Sequence, residues 1–147
     1  MNLSVNWFIF SSNLQKMPVT IEIKDATAGG KITNSIPITF DNEITSVREI
    51  IRSRVTAEVE IYNKKMPEYF NGLVQPLDAE KTLNGYKMQK RRRVDPEKQV
   101  LIALHSFEIN VYFILIDTIQ AESLDQMVMV NPNTNVSFVK LMPLVGG

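Results

Sequence analysis

Val136-Ser137-Phe138-Val139-Lys140-Leu141-Met142 follows the loop Asn131-Pro132-Asn133-Thr134-Asn135 and reads as the final strand of a sheet. Val139 and Leu141 fall on one face of that strand, Phe138 and Lys140 on the other. Which pair meets the core is open from sequence. The fold is decided by where this strand goes, and the residues before it leave few choices. Val111-Tyr112-Phe113-Ile114-Leu115-Ile116 is a nearly continuous apolar run ending at Asp117, expected of an interior strand covered on much of both faces. Residues 117–120 then read as a turn, Glu122-Ser123-Leu124-Asp125 as a short helical turn, and residues 126–130 as a brief strand.

Toward the N-terminus, Asp95-Pro96-Glu97 announces a helix: Asp can cap, Pro fits the first turn, and Glu suits the positive end of the dipole. Val100, Leu101, Leu104 and Phe107 give its expected buried stripe. Ser46 and Glu49 have the spacing of a capping box. Val47, Ile50, Ile51, Val55, Val59 and Tyr62 follow at helical period, with Arg48, Arg52, Glu58 and Glu60 expected largely outside the stripe. Still earlier, Val19, Ile21 and Ile23 alternate with Thr20, Glu22 and Lys24. Ile36, Ile38 and Phe40 alternate with Ser35, Pro37 and Thr39, and the glycine-bearing turn 25–30 joins the two as a hairpin. Pro37 has no N–H for a ladder and places the second strand at a sheet edge.

The predicted order is strand, strand, helix, extra helix, strand, short strand, strand. A hairpin followed by a crossover helix lets the last strand run parallel beside the first, with both helices on one face. The class is α+β, a mixed sheet of four to five strands packed on a main helix. A ferredoxin-like sandwich and a simple sheet with two helices are the alternatives.

At 147 residues the chain has room for one well-buried core. The expected organisation is an N-terminal appendage at 1–16, a domain at 17–142 with an insertion at about 65–94, and a flexible tail at 143–147. Either Met17 is the functional start or residues 1–16, with Trp7-Phe8-Ile9-Phe10, pack on the domain. They lack the charged start and cleavage site of a secretory signal. Sixteen basic residues balance sixteen acidic ones, so charge names no partner, and 44% of residues are apolar. Cysteine is absent, which excludes disulfides, thiolate metal sites and a cysteine nucleophile, and fits a reducing, cytoplasmic setting. The run 111–116 is far short of the roughly 18 to 20 apolar residues that cross a bilayer, so no membrane span is expected.

The final strand leads into Pro143-Leu144-Val145-Gly146-Gly147. By residue frequency alone a terminal glycine pair arises in roughly 0.5% of chains. Its weight comes from coinciding with this order of elements. Residues 111–117, 120–125 and 136–147 together resemble the C-terminal half of ubiquitin and, more closely, of prokaryotic ubiquitin-like modifiers. The hairpin at 18–41 and the helix from Ser46 fit the other half by pattern, so about 100 of the 147 residues are covered. Two features depart from that family. Residues 65–94 have no counterpart, and Thr82-Leu83-Asn84-Gly85-Tyr86 within them looks like the family's turn before its last strand but is followed by Lys90-Arg91-Arg92-Arg93. The later assignment at 136–142 is preferred. The tail carries Pro143 and Val145 where ubiquitin has arginines, which implies a dedicated activating enzyme.

The resemblance implies a ubiquitin-like β-grasp fold and a protein that is a substrate of enzymes, not an enzyme itself. Gly147 would be adenylated by an activating enzyme using ATP and Mg, passed to a thiolate, and joined to target lysines through an isopeptide bond. A conjugating enzyme, a deconjugating isopeptidase and target proteins are the implied partners. Gly146 and Gly147 lack Cβ atoms and suit a narrow catalytic channel, while Pro143, Leu144 and Val145 would be read by partner enzymes. Val139 and Leu141 are a candidate partner surface, although apolar residues at strand spacing more often belong to core. A frayed terminus is the plain alternative for the glycines.

No intrinsic cofactor or metal site is expected, because no zinc spacing, phosphate loop or nucleophile elbow is present. His105, the sole histidine, is expected to pack or cap. Lys87 with 90–93 is expected to be a solvated basic loop, and nucleic acid is not an expected partner. Asp41, Glu43, Asp117, Glu122 and Asp125 sit at turns and helix starts, where carboxylates cap. Two other functions share these features: a sulfur carrier forming a thiocarboxylate at Gly147, and a non-conjugating β-grasp interaction module for which Gly147 is dispensable.

Overall fold

The computed structural model describes residues 17–90 and 92–141. Strands β1 (Val19–Ala26) and β2 (Ile32–Phe40) form the expected hairpin, and short β3 (Ile44–Ser46) leads into helix α1 (Val47–Lys65). Next come β4 (Tyr69–Phe70), β5 (Ala79–Thr82), β6 (Gly85–Met88) and helix α2 (Pro96–Glu108). The chain closes with β7 (Tyr112–Ile116), β8 (Ile119–Gln120), β9 (Met127–Met129) and β10 (Val136–Lys140). The five-stranded sheet has the order β2-β1-β10-β7-β8, with β10 parallel to β1 and antiparallel to β7. Pro37 lies on the edge strand β2, as its missing donor requires. The architecture is α+β, a mixed sheet carrying two helices.

Both helix starts follow from their caps. Ser46 Oγ accepts from Glu49 N at 3.1 Å, and Asp95 Oδ1 accepts from Glu97 N at 3.0 Å with Pro96 in the first turn. Helix α1 ends where Met66 adopts φ 43° and its N–H returns to Tyr62 O. Val47, Ile50, Ile51, Val55, Val59 and Tyr62 are all buried, as their spacing predicts. Glu58 departs from expectation: it is buried within that stripe, together with Arg54, because positions 54 and 58 share the helix face of 47, 50, 51, 55 and 59. In α2 the stripe is Val100, Ala103, Leu104 and Phe107, and Leu101 is 66% exposed because Ala103 takes the inward position. Both helices lie on one sheet face, Arg54 of α1 over Phe138 and Phe107 of α2 against Tyr112.

Three further expectations change. Residues 117–120 are a tight turn plus β8: Asp117 takes φ 55°, and Ile119 and Gln120 pair with Ile116 and Leu115. Residues 122–125 form a turn without helix, and the brief strand near 126–130 pairs with β3, away from the main sheet. The run 111–116 does form an interior strand, between β10 and β8, but it is one residue shorter and its outer face is less fully covered than expected. Val111 lies outside the strand at 47% exposure, and Phe113 and Leu115 on the outer face stay partly buried, since both helices cover the opposite face.

The segment between the helices forms its own sheet, β4-β6-β5. Thr82-Leu83-Asn84-Gly85 is the β5–β6 turn, so the last strand of the main sheet is β10, as preferred from sequence. Phe70 packs edge-on against Tyr62 at 5.2 Å, Asn63 bonds Val94 through both its amide atoms, and Gln99 Nε2 donates to Val74 O. The insertion is thereby part of the common core.

Candidate functional site

The site of interest is the C-terminal end of β10, which delivers the chain toward the tail. Its inner face carries Val136, Phe138 and Lys140, and its outer face Ser137, Val139 and Leu141. Phe138 is fully buried, stacks on Tyr112 with ring centroids 5.7 Å apart, and lies under the Arg54 guanidinium, 4.4 Å from its centroid. Tyr112 donates its hydroxyl to Ala103 O at 2.7 Å, and burial raises its pKa above the ordinary tyrosine value.

Around Phe138 runs a buried charged network. Arg54, 1% exposed, donates Nε to Glu58 Oε1 at 2.6 Å and Nη2 to Asp25 Oδ2 at 2.8 Å, while Nη1 faces Asp25 Oδ1 as an ion pair rather than an aligned hydrogen bond. Burial alone would lower the Arg54 pKa, but Glu58 and Asp25 outweigh it and the shift is upward. Glu58 Oε2 accepts from Leu73 N at 3.0 Å, so the network joins β1, α1 and the insertion.

Lys140, at the end of β10, donates Nζ to Gly72 O at 2.8 Å and ties that strand to the same insertion. Burial, the largest influence, and Arg54 among others depress its pKa despite Asp25 and Glu58. The unfolded chain therefore binds more protons in the alkaline window between the folded and ordinary lysine values, and stability rises with pH across that window. Lys140→Gln should flatten this rise in denaturant titrations run from pH 8 to pH 10.5.

Gly72 is fixed by close approach. A Cβ there would lie 2.1 Å from Phe70 Cε1 and 2.9 Å from Glu58 Oε2. Gly72→Ala should cost about 1–3 kcal/mol, measured by urea unfolding, because the buried Phe70 ring has nowhere to retreat.

Of the residues singled out from sequence, Gly146, Gly147, Pro143, Leu144 and Val145 lie outside the described residues. Val139 is on the outer face but only 4% exposed, between Ala26 and Phe113 in register; Leu141 beyond it is 47% exposed. As a partner surface the pair thus presents Leu141 and little of Val139. His105 is exposed in the last turn of α2, and its carbonyl accepts from Ile109 N. In the basic run, Arg92 bonds Asp78 at 2.6 Å and Lys87 lies 3.7 Å from Glu68; Arg91 is outside the described residues. Asp125 pairs with Arg48, and Asp117 Oδ1 accepts from Asn135 N. Sequence assigns no site role to Asp25, Arg54, Glu58 or Lys140 and places Glu58 outside the helix stripe; their one visible signal is charge at core-facing positions of otherwise apolar patterns.

No helix among the described residues is long and apolar enough to cross a membrane, and none of their His, Asp and Glu side chains group so as to hold a metal ion. Comparison with protein-family models, curated proteins and solved structures finds no match.

Proposed function

We propose that the chain is a ubiquitin-like protein modifier with a β-grasp fold, conjugated through Gly147. The observation that carries this reading is β10. It runs parallel to β1 at the centre of the mixed sheet, reached through the α1 crossover, and leads at Leu141 into Pro143-Leu144-Val145-Gly146-Gly147. The charged network and the Lys140–Gly72 bond hold that strand at its exit, which suits a firm body presenting a slim acyl donor.

The chemistry belongs to partner enzymes. The Gly147 carboxylate attacks the α-phosphorus of ATP and expels pyrophosphate; a partner thiolate then displaces AMP to give a thioester, and a lysine amine displaces the thiol. Gly146 and Gly147 allow the backbone to enter a channel too narrow for a Cβ. The activating, conjugating and deconjugating enzymes, and a cytoplasmic setting, follow from this reading.

Incubation with ATP, Mg and an activating enzyme of the ubiquitin type should give an ATP-dependent, thiol-sensitive adduct on non-reducing gels, followed by lysine adducts in intact mass. Deleting Gly147 should abolish all adducts. A thiocarboxylate mass in place of lysine adducts would reassign the chain as a sulfur carrier. Equal behaviour of the deleted form, with an enzyme active on its own substrate, would refute the tail's role.

A further inference from the structure

We propose that Asn84 is a site of spontaneous deamidation, its side chain closing on Gly85 to a cyclic imide that opens to aspartate and isoaspartate, while the fold shields the same dipeptide at Asn71-Gly72. The ring closes most readily where glycine follows asparagine, because glycine has no Cβ to obstruct the approach and its backbone turns freely. Asn71-Gly72 and Asn84-Gly85 both lie between the two helices, the first directly after β4 and the second in the β5–β6 turn. As dipeptides they are chemically equivalent, and only their surroundings separate them.

The reaction consumes only water. The glycine N, giving up its proton to solvent, attacks the asparagine Cγ; the N–Cγ bond forms, the Cγ–Nδ2 bond breaks, and ammonia carries off the side-chain nitrogen. Water then adds to one carbonyl of the imide. Breaking the new N–Cγ bond restores the ordinary main chain with an aspartate. Breaking the N–C bond of the original peptide leaves the glycine joined through Cγ, which is isoaspartate. Ring closure requires the asparagine side chain and the following peptide to rotate together, so its rate is governed by how firmly both are held.

At Asn84 they are held loosely. The residue is exposed beside the fully exposed Leu83, and among the described residues no hydrogen bond reaches its side chain. Asn84 N donates to Thr82 Oγ1 at 3.2 Å and Thr82 Oγ1 donates to Gly85 O at 2.7 Å, so the turn is closed by one hydroxyl and by the terminal pair Thr82–Gly85, the part of a hairpin that opens most easily. At Asn71 the surroundings are the reverse. Gly72 is buried, and the Phe70 ring and Glu58 Oε2 take the place a Cβ would need. Gly72 O accepts from Lys140 Nζ at 2.8 Å, and the next amide, Leu73 N, donates to Glu58 Oε2 at 3.0 Å. Asn71 Oδ1 is itself seated against Gly85, 2.2 Å from where a Cβ on that residue would stand. Turning the 71–72 peptide breaks bonds to two charged side chains, which slows the reaction about tenfold or more.

Isoaspartate at position 84 inserts an extra main-chain carbon between Asn84 N and Gly85 O, the two groups that Thr82 Oγ1 joins, so one hydroxyl no longer satisfies both. Either product adds a carboxylate and makes the balanced net charge negative. Ageing the full chain in mildly alkaline buffer at physiological temperature, folded or in guanidinium, tests this by ion-exchange separation and peptide mapping in the mass spectrometer. In the folded protein Asn84 should convert about tenfold or more faster than Asn71, and in guanidinium the two should convert at similar rates. Asn84→Gln, which must close a larger ring, should remove the fast acidic product, and a circular dichroism melt matching the parent shows that the variant folds. The proposal is overturned if Asn71 converts as fast as Asn84 in the folded protein, or if Asn84 stays intact there over a time in which the unfolded chain converts it.

Discussion

Arg54→Ala is expected to lower the unfolding free energy by about 3–5 kcal/mol, read from urea or guanidinium titration. The guanidinium is 1% exposed and neutralises two carboxylates at once, Asp25 from β1 and Glu58 one turn along α1. Removing it leaves two negative groups buried together with no cation between them, and Glu58 must still hold Leu73 N. Desolvation that the network offsets then becomes uncompensated. Arg54→Lys should recover only part of the loss, because one ammonium cannot match a planar fork whose three nitrogens reach both carboxylates. Replacing Asp25, Arg54 and Glu58 together by apolar residues of similar volume should cost far less than Arg54→Ala alone, since a paired buried charge contributes little net stability. A triple variant as unstable as the single one would contradict this account.

Phe138→Ala should cost a similar amount, about 3–5 kcal/mol, in the same measurement. The ring is fully buried and fills the space between Tyr112 and Arg54, and its loss leaves a cavity walled by the β1, β7 and β10 strands and by α1. It also strips the guanidinium of its aromatic floor, a contact worth about 2 kcal/mol when desolvated. Because Arg54 and Phe138 touch, their effects should not add; a double-mutant cycle with Arg54→Ala should show coupling of about 0.5–3 kcal/mol. Strict additivity would mean that the ring and the charge act separately.

Much of the fold was legible because its signals are periodic and local. The alternation of Val19, Ile21 and Ile23, the stripe 47–62, the caps Ser46 and Asp95, and Pro37 at the edge each state a geometric requirement that the structure meets. Elements resting on longer-range facts were less legible. Nothing near residues 44–46 or 127–129 tells that they pair across a separation of some eighty residues, nor that the insertion folds into a sheet. The charged network was hidden by a sound rule applied too broadly: Glu58 on a helix reads as solvated, and only the simultaneous arrival of Arg54 and Asp25 reverses this. At the candidate site, the sequence placed Val139 and Leu141 on one face but could not say that the face is the outer one, because Phe138 and Lys140 carry no pattern that breaks the tie.

The parallel pairing of β10 with β1 has a bearing on how the chain folds. The last strand to be synthesised among those described occupies the middle of the main sheet, not its margin. Until it arrives, β1 and β7 each present an unpaired ladder, and Ile23 and Ile114 lack their cross-strand neighbours Val136 and Phe138. Such open edges are templates for pairing with other chains. Folding is accordingly a closure event that joins distant parts of the chain late and slowly, with local helices and the β1–β2 hairpin able to form first. A chain interrupted before residue 136 would lose the centre of its sheet, and with it the protection against aggregation that every earlier element depends on.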